Sequence, residues 1–240
     1  VSVDVIHLPF GIVINHPLFS FLFTVIWVAG ITNAINLIDG LDGLAGGMSL
    51  IMLVVIGCVS VLERRLDVAI LTFLLASSTA GFLVFNAHPA SIFMGDCGSL
   101  FLGFMISAIS LLGFKGSTII TLALPMLLLC IPIIDTLSAI LRRTIKGMKF
   151  MQADKSHIHH LLMAQFGHQN TVIIMCGMTT LFGLCAYAYL INTTIGFTVM
   201  MLLLLVMELF IEKSAMISEH FHPLIGLYHR IVHRIKSIRQ

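Results

Sequence analysis

Two carboxylates stand three residues apart in the segment Asn33-Ala-Ile-Asn36-Leu-Ile-Asp39-Gly40-Leu-Asp42-Gly43. On a helix Asp39 and Asp42 would share a face. With the amides of Asn33 and Asn36 beside them, they suit a hard cation such as Mg2+, which prefers oxygen ligands. The surrounding glycines allow the backbone to approach a phosphate or a neighbouring helix closely. A plainer alternative is a Gly-rich turn at a membrane edge, with Asp and Asn as helix caps. An EF-hand is disfavoured, because the required oxygen spacing and the closing Glu are absent.

A second polar segment runs Asn86-Ala-His88-Pro89-Ala90-Ser91-Ile92-Phe93-Met94-Gly95-Asp96-Cys97-Gly98-Ser99. Pro89 ends the preceding helix, and Gly95 and Gly98 allow a tight turn around Asp96. The next helix is expected to start near Ser99, offering free N–H groups and a positive dipole end to an anion. Equally, Asp96 and Ser99 could simply cap it. The third segment, Asp154-Lys155-Ser156-His157-Ile158-His159-His160, holds three imidazoles in four residues. On a helix His157 and His160 can act together while His159 faces elsewhere. No Cys or further His stands at zinc spacing, which argues against a structural zinc site. Beside Lys155, Arg142 and Arg143 the histidines fit a phosphate-rich ligand; the alternative is a solvated basic loop. Asp135 interrupts an apolar run and is either a functional acid or a partner of Arg142 or Arg143.

The elements that carry these segments are set by composition. The chain has 240 residues, 58% of them hydrophobic and 10% charged. A soluble domain carries about 25% charge. The mean hydropathy is +1.06. These values leave too little polar surface to cover a water-soluble globule and exclude disorder, collagen and coiled coil. The fold class is all-α, a polytopic transmembrane helical bundle. About 20 apolar residues span a bilayer as helix. Seven stretches qualify, near 18–36, 44–62, 68–86, 99–114, 117–141, 170–190 and 194–212. No segment shows the alternation of a membrane β-barrel. The five cysteines show no paired spacing.

Basic residues give the orientation. Arg142, Arg143, Lys146, Lys149 and Lys155 follow the fifth span, and Lys213, Arg230, Arg234, Lys236 and Arg239 lie in the tail. These are ten of the thirteen Lys and Arg residues, and seven spans put both segments on one side. By the positive-inside rule that side is the cytoplasm. The loops after the first, third and fifth spans then share it, so the three polar segments are expected to form one composite site. Residues 213–240 read as a basic amphipathic tail on anionic lipid.

The three segments together resemble the polyprenyl-phosphate N-acetylhexosamine-1-phosphate transferases. Asn33–Gly43 is similar to that family's Asn-Ala-x-Asn-x-x-Asp-Gly-x-Asp-Gly motif. Pro89–Ser99 resembles its Pro-Ala-x-x-Phe-Met-Gly-Asp-x-Gly-Ser motif, and His157–His160 its His-x-His-His loop. His-Ile-His-His after Asp-Lys looks like the N-acetylglucosamine branch. Cys97 stands where members usually carry a small residue such as Thr, Ser or Ala. The resemblance implies transfer of N-acetylglucosamine-1-phosphate from UDP-N-acetylglucosamine to undecaprenyl phosphate, with release of UMP. It implies Mg2+ or Mn2+ as cofactor and a multi-pass protein of the bacterial inner membrane. Its partners would be undecaprenyl phosphate, a UDP-N-acetylhexosamine and the lipid bilayer, with no nucleic acid. By carry-over Asp96 is the metal ligand, and Asp39, Asp42 and Asp96 form the catalytic set. Asn33, Asn36, Asn86, His157, His159 and His160 would bind substrate.

The family also carries an adjacent Asp-Asp pair in an earlier loop and has about ten or eleven spans. No Asp-Asp pair occurs in this sequence, and it begins with Val rather than Met. The chain is therefore expected to be the C-terminal two-thirds of a larger transferase domain, with little activity alone. Two other classes compete. A transporter would show an internal repeat and mid-bilayer polar residues in several spans, and neither is seen. A noncatalytic membrane protein of the same family would bind substrate without turnover.

Overall fold

The computed structural model describes residues 6–7, 13–14, 16–113, 130–131, 133–134, 136–137, 140 and 158–213. The architecture is an all-α bundle. Its helices are α1 (Pro17–Ile38), α2 (Leu44–Leu62), α3 (Leu66–Asn86), α4 (Gly95–Gly113), α5 (Ile158–Phe166), α6 (His168–Ile191) and α7 (Thr193–Lys213). The described residues between 130 and 140 are also helical. A two-residue antiparallel ladder, Ile6–His7 with Val13–Ile14, precedes the bundle. The expected fifth span, 117–141, falls mostly outside the described residues, as do Asp135, the basic loop and the tail beyond Lys213.

Five helices, α1 to α4 and α6, are long and apolar enough to cross a membrane. Their lengths follow from uninterrupted apolar runs that end at Gly, Pro or clustered charge. Helix α1 starts with Pro17 at its first position, where the missing N–H costs nothing. Helix α2 stops where Glu63, Arg64 and Arg65 begin, and Arg65 pairs with Asp67 at 3.4 Å. The same guanidinium donates to the Leu112 carbonyl at 3.1 Å, covering the last turn of α4.

Helix α2 is the central element, packed against α3, α6, α4 and α1. Leu44, Met48, Met52, Leu53 and Ile56 on it are fully buried. Large apolar side chains such as Phe21, Ile26, Leu74, Val84 and Ile173 point outward. On a soluble protein such a surface would aggregate, whereas in a bilayer it is the lipid face. Three buried threonine hydroxyls are satisfied within their own helices: Thr72 donates to the Val68 carbonyl, Thr79 to Leu75 and Thr179 to Met175.

Small residues let the helices approach where apolar burial gives no drive in lipid. The α1–α4 pair is tightest at Gly103, where an added Cβ would sit 2.7 Å from the Thr32 Cα. Further along the same seam Trp27 Nε1 donates to Ser110 Oγ at 3.1 Å. This seam matters because α1 ends, and α4 begins, at the polar end of the bundle.

Two differences from the sequence reading bear on the site. Helix α4 starts at Gly95 rather than near Ser99, so Asp96 lies in its first turn. A carboxylate there faces the positive end of the helix dipole, which favours helix over an isolated turn. Residues 158–166, read as loop, form the short helix α5.

Candidate active site

Helix α1 ends at Ile38, leaving Asp39 as its C-cap with φ −76° and ψ 46°. Asp39 and Asp42 therefore do not share a helical face; they sit on a turn between α1 and α2. Gly43 closes that turn with φ +76°, a left-handed conformation open to glycine, and starts α2. Its N–H donates to Asn86 Oδ1 at 3.1 Å, and Asn86 Nδ2 donates to the Ile92 carbonyl at 2.9 Å. Asn86 is buried, so its amide ties the first polar segment to the second.

Across the α1–α4 seam, Asn36 Nδ2 donates to Asp96 Oδ1 at 3.1 Å and to Ser99 Oγ at 2.8 Å. Ser99 Oγ in turn donates to the Gly95 carbonyl at 3.1 Å. Asn36 thus fixes the Asp96 carboxylate from α1, and the buried Ser99 fixes Asn36. Asn33, one turn earlier, donates to its own helix at the Ala29 carbonyl, 2.7 Å away, and joins neither contact.

The acids differ in electrostatics. Asp39 is half-buried, and burial first and the charge of Asp96 second push its pKa up to about 6. The hydrogen bond from His88 holds Asp42 below the usual carboxylate range, aided by the Ala90 N–H. Two carboxyl groups in one site with pKa values driven apart can take different roles. Asp39 is the readier of the two to hold a proton, and Asp42 the readier to stay an anion. Asp39 also feels the charge of Asp96, and a divalent cation with a preference for carboxylate oxygens, such as Mg2+, would relieve that repulsion.

His88 and His168, absent from the sequence-derived candidates, sit against Asp42. His88 Nδ1 lies 3.0 Å from Asp42 Oδ2, and Asp42 N–H donates to His168 Nε2 at 3.1 Å. His88 stood inside a quoted motif and could have been taken up as a polar side chain at a helix-breaking Pro. His168 has the weaker signal of a histidine just after Gly167, at the first residue of a span. His160 lies part-buried on α5. His157 and the side chain of His159 fall outside the described residues. The structure therefore brings Asn36, Asp39, Asp42, Asn86 and Asp96 together at one end of the bundle.

Residues 1–114 match the family model described as glycosyl transferase family 4. Among curated proteins, the chain is 42% identical over 220 residues to a probable undecaprenyl-phosphate N-acetylglucosaminyl 1-phosphate transferase of Bacillus subtilis (strain 168). That match covers 90% of this chain and 61% of the relative. It is 33% identical over 180 residues to a phospho-N-acetylmuramoyl-pentapeptide-transferase of Listeria welshimeri, covering 73% of this chain and 53% of the relative. It is 36% identical over 193 residues to a decaprenyl-phosphate N-acetylglucosaminephosphotransferase of Mycolicibacterium smegmatis, covering 71% and 47%. The chain thus spans between about half and three-fifths of the length of these relatives. Its apolar helices, its linked polar turns and these matches agree: residues 1–114 match glycosyl transferase family 4, and the chain as a whole is similar to the phosphosugar transferases named above.

Proposed function

We propose that this chain forms the reacting centre for transfer of N-acetylglucosamine-1-phosphate from UDP-N-acetylglucosamine to undecaprenyl phosphate. An oxygen of the lipid phosphate bonds to the sugar-linked phosphorus. The bond from that phosphorus to the bridging oxygen breaks, and UMP leaves with the electron pair. The observation that carries this reading is the Asp96 carboxylate, held by Asn36 and Ser99 at one end of an apolar bundle, with Asp39 close enough to feel its charge. The similarity to the Bacillus subtilis protein supports the sugar and the lipid acceptor.

Both substrates are anionic where they react, so the site has to neutralise charge. Asp96, with Asp39 beside it, would hold Mg2+, which would screen the diphosphate and stabilise the departing oxygen. Asn36 keeps the Asp96 carboxylate oriented from α1. Asn86 holds the Gly43 turn against the loop after α3, so Asp39 is presented from a rigid support. By resemblance, His157, His159 and His160 bind substrate phosphates or assist departure of UMP, and Asn33 is a supporting substrate-binding residue. A lipid acceptor and a nucleotide donor meet only at the membrane edge. The Lys and Arg distribution supports the cytoplasmic side for that edge, and the resemblance supports a bacterial inner membrane.

The test is UMP release from membranes supplied with UDP-N-acetylglucosamine, undecaprenyl phosphate and Mg2+. The protein is expressed from its own reading frame, beside the 240-residue chain alone, with Asp96→Asn as the control. Release that needs both substrates and is lost in Asp96→Asn supports the transfer. Undiminished release in Asp96→Asn, or none from the wild-type protein, rejects it.

A further inference from the structure

Asp42, His88 and His168 form a cluster that the Asp39–Asp96 pair leaves unused. Asp42 Oδ2 accepts from His88 Nδ1 at 3.0 Å and from the Ala90 N–H at 3.2 Å. The Asp42 N–H donates to His168 Nε2 at 3.1 Å. The two imidazoles stack, with centroids 4.1 Å apart and planes 27° from parallel. One ligand atom from each residue lies within 4.8 Å of the others, the donor set of a zinc-type site. The geometry argues against a metal. The His168 Nε2 lone pair already accepts the Asp42 N–H. Stacked rings also hold their in-plane lone pairs in separate layers roughly 4 Å apart, so one ion at about 2.0–2.1 Å cannot lie in both planes.

What the cluster does is join three parts of the chain. Asp42 is the node: its backbone is tied to the first residue of α6, 126 positions away, and its carboxylate to the loop after α3, 46 positions away. Because Nε2 accepts, the His168 proton resides on Nδ1. That Nδ1 is buried and has no hydrogen-bond partner among the described residues. We propose that His168 is a positioning residue, which clasps the Asp42 turn against His88 so that Asp39, three residues before it, faces Asp96. The clasp also fixes the start of α6, to which α5 is joined through Gly167. The proposal rests on the phosphosugar-transfer reading for its kinetic consequence, but not for its structural one.

Two variants of the whole protein in nanodiscs separate the acceptor from the ring. His168→Gln returns an amide oxygen that can accept the Asp42 N–H, whereas His168→Phe keeps a ring to stack on His88 and accepts nothing. The readouts are kcat and donor KM per folded protein, and hydrogen exchange of the peptide covering residues 39–47. The expected result for His168→Phe is a kcat lowered by about 10- to 100-fold with donor KM within threefold, since a small misplacement acts on the chemical step. The peptide is expected to exchange at least tenfold faster. His168→Gln should lie within about threefold of wild type in both. Wild-type kcat and exchange in His168→Phe would overturn the proposal, as would a Gln variant no better than Phe. If the wild-type protein releases no UMP, the transfer reading fails and exchange alone decides. Faster exchange in Phe but not Gln then supports the clasp, and unchanged exchange sinks it.

Discussion

Replacing Gly103 by alanine probes whether the α1–α4 seam sets the site. The new Cβ would lie 2.7 Å from the Thr32 Cα, 3.1 Å from its carbonyl oxygen and 3.3 Å from the Ile35 Cβ. The first two partners are backbone and cannot swing aside. Restoring a carbon contact of about 3.5 Å requires the helices to part by roughly 0.8 Å. Asn36 lies one turn beyond Thr32, and Asp96 lies about two turns before Gly103. Carried to the site, that shift stretches the 3.1 Å bond between Asn36 Nδ2 and Asp96 Oδ1 to roughly 3.9 Å, outside hydrogen-bond range. A bond to a charged acceptor is worth about 1.5–3 kcal/mol, which corresponds to about 10- to 150-fold in rate. Overpacking also lowers stability by about 1–3 kcal/mol. The assay is UMP release per folded protein, with Tm measured on the same sample. Gly30→Ala, on the same helix α1, is the control, because its Cβ would meet nothing within 4 Å. That control should keep full activity and gain up to about 1 kcal/mol of stability. Gly103→Ala with activity within twofold of wild type and an unchanged Tm would refute the reasoning.

Further expectations concern the site itself. Asn36→Ala removes both donors from Asp96 and Ser99, so the Mg2+ concentration for half-maximal activity should rise about 10- to 100-fold while donor KM changes little; an unchanged Mg2+ requirement would count against the role given to Asn36. Burial and the charge of Asp96 push the Asp39 pKa up to about 6, so the folded form binds this proton more tightly than the unfolded chain. The metal-free protein should therefore lose stability as pH rises from about 4 to about 6 and level off above that. Asp39→Asn should flatten this slope, match or exceed the wild-type Tm at pH 7.5 in EDTA, and release UMP at least tenfold more slowly; identical Tm–pH curves for the two proteins would contradict the assignment. Cys97 is exposed beside Asp96, so a membrane-impermeant thiol reagent should label it only from the cytoplasmic side, and UDP-N-acetylglucosamine should slow the reaction. Labelling from the outer side alone would invert the proposed orientation.

Legibility in the sequence tracked the range of the interaction. Helix α2 runs over the stretch expected, 44–62, because an apolar run bounded by Gly43 and by Glu63 to Arg65 leaves one solution. The start of α4 was missed by four residues. Gly95, with φ +61°, reads as a turn residue, and only the helix continuing from it shows that Asp96 sits in a first turn. Helix α5 was hidden because closely spaced histidines read as polar loop. Within the site, the Gly43–Asn86 and Asn36–Asp96 contacts join motifs whose polar character stood out against apolar flanks. His168 had no such contrast. Its partner Asp42 is 126 residues distant, and no local spacing can announce a contact closed by the whole bundle.

The three acids of the first two motifs look equivalent as sequence, and the fold separates them. Asp42 spends Oδ2 on His88 and Ala90 and its backbone N–H on His168. A carboxylate so committed serves better as a strut than as a ligand, since a cation would have to displace those donors. Among the described residues Asp96 receives one donor, from Asn36, on Oδ1. Asp39 lies half-buried within reach of its charge. Repulsion between these two is tolerated only because the seam and the turn hold them there, and that is the condition under which a divalent cation gains most by binding. The turn is held by Asp42, and the seam by the absence of a side chain at Gly103. Both supports therefore lie outside the pair that would meet substrate, and changes in either should register in kcat before they register in donor affinity.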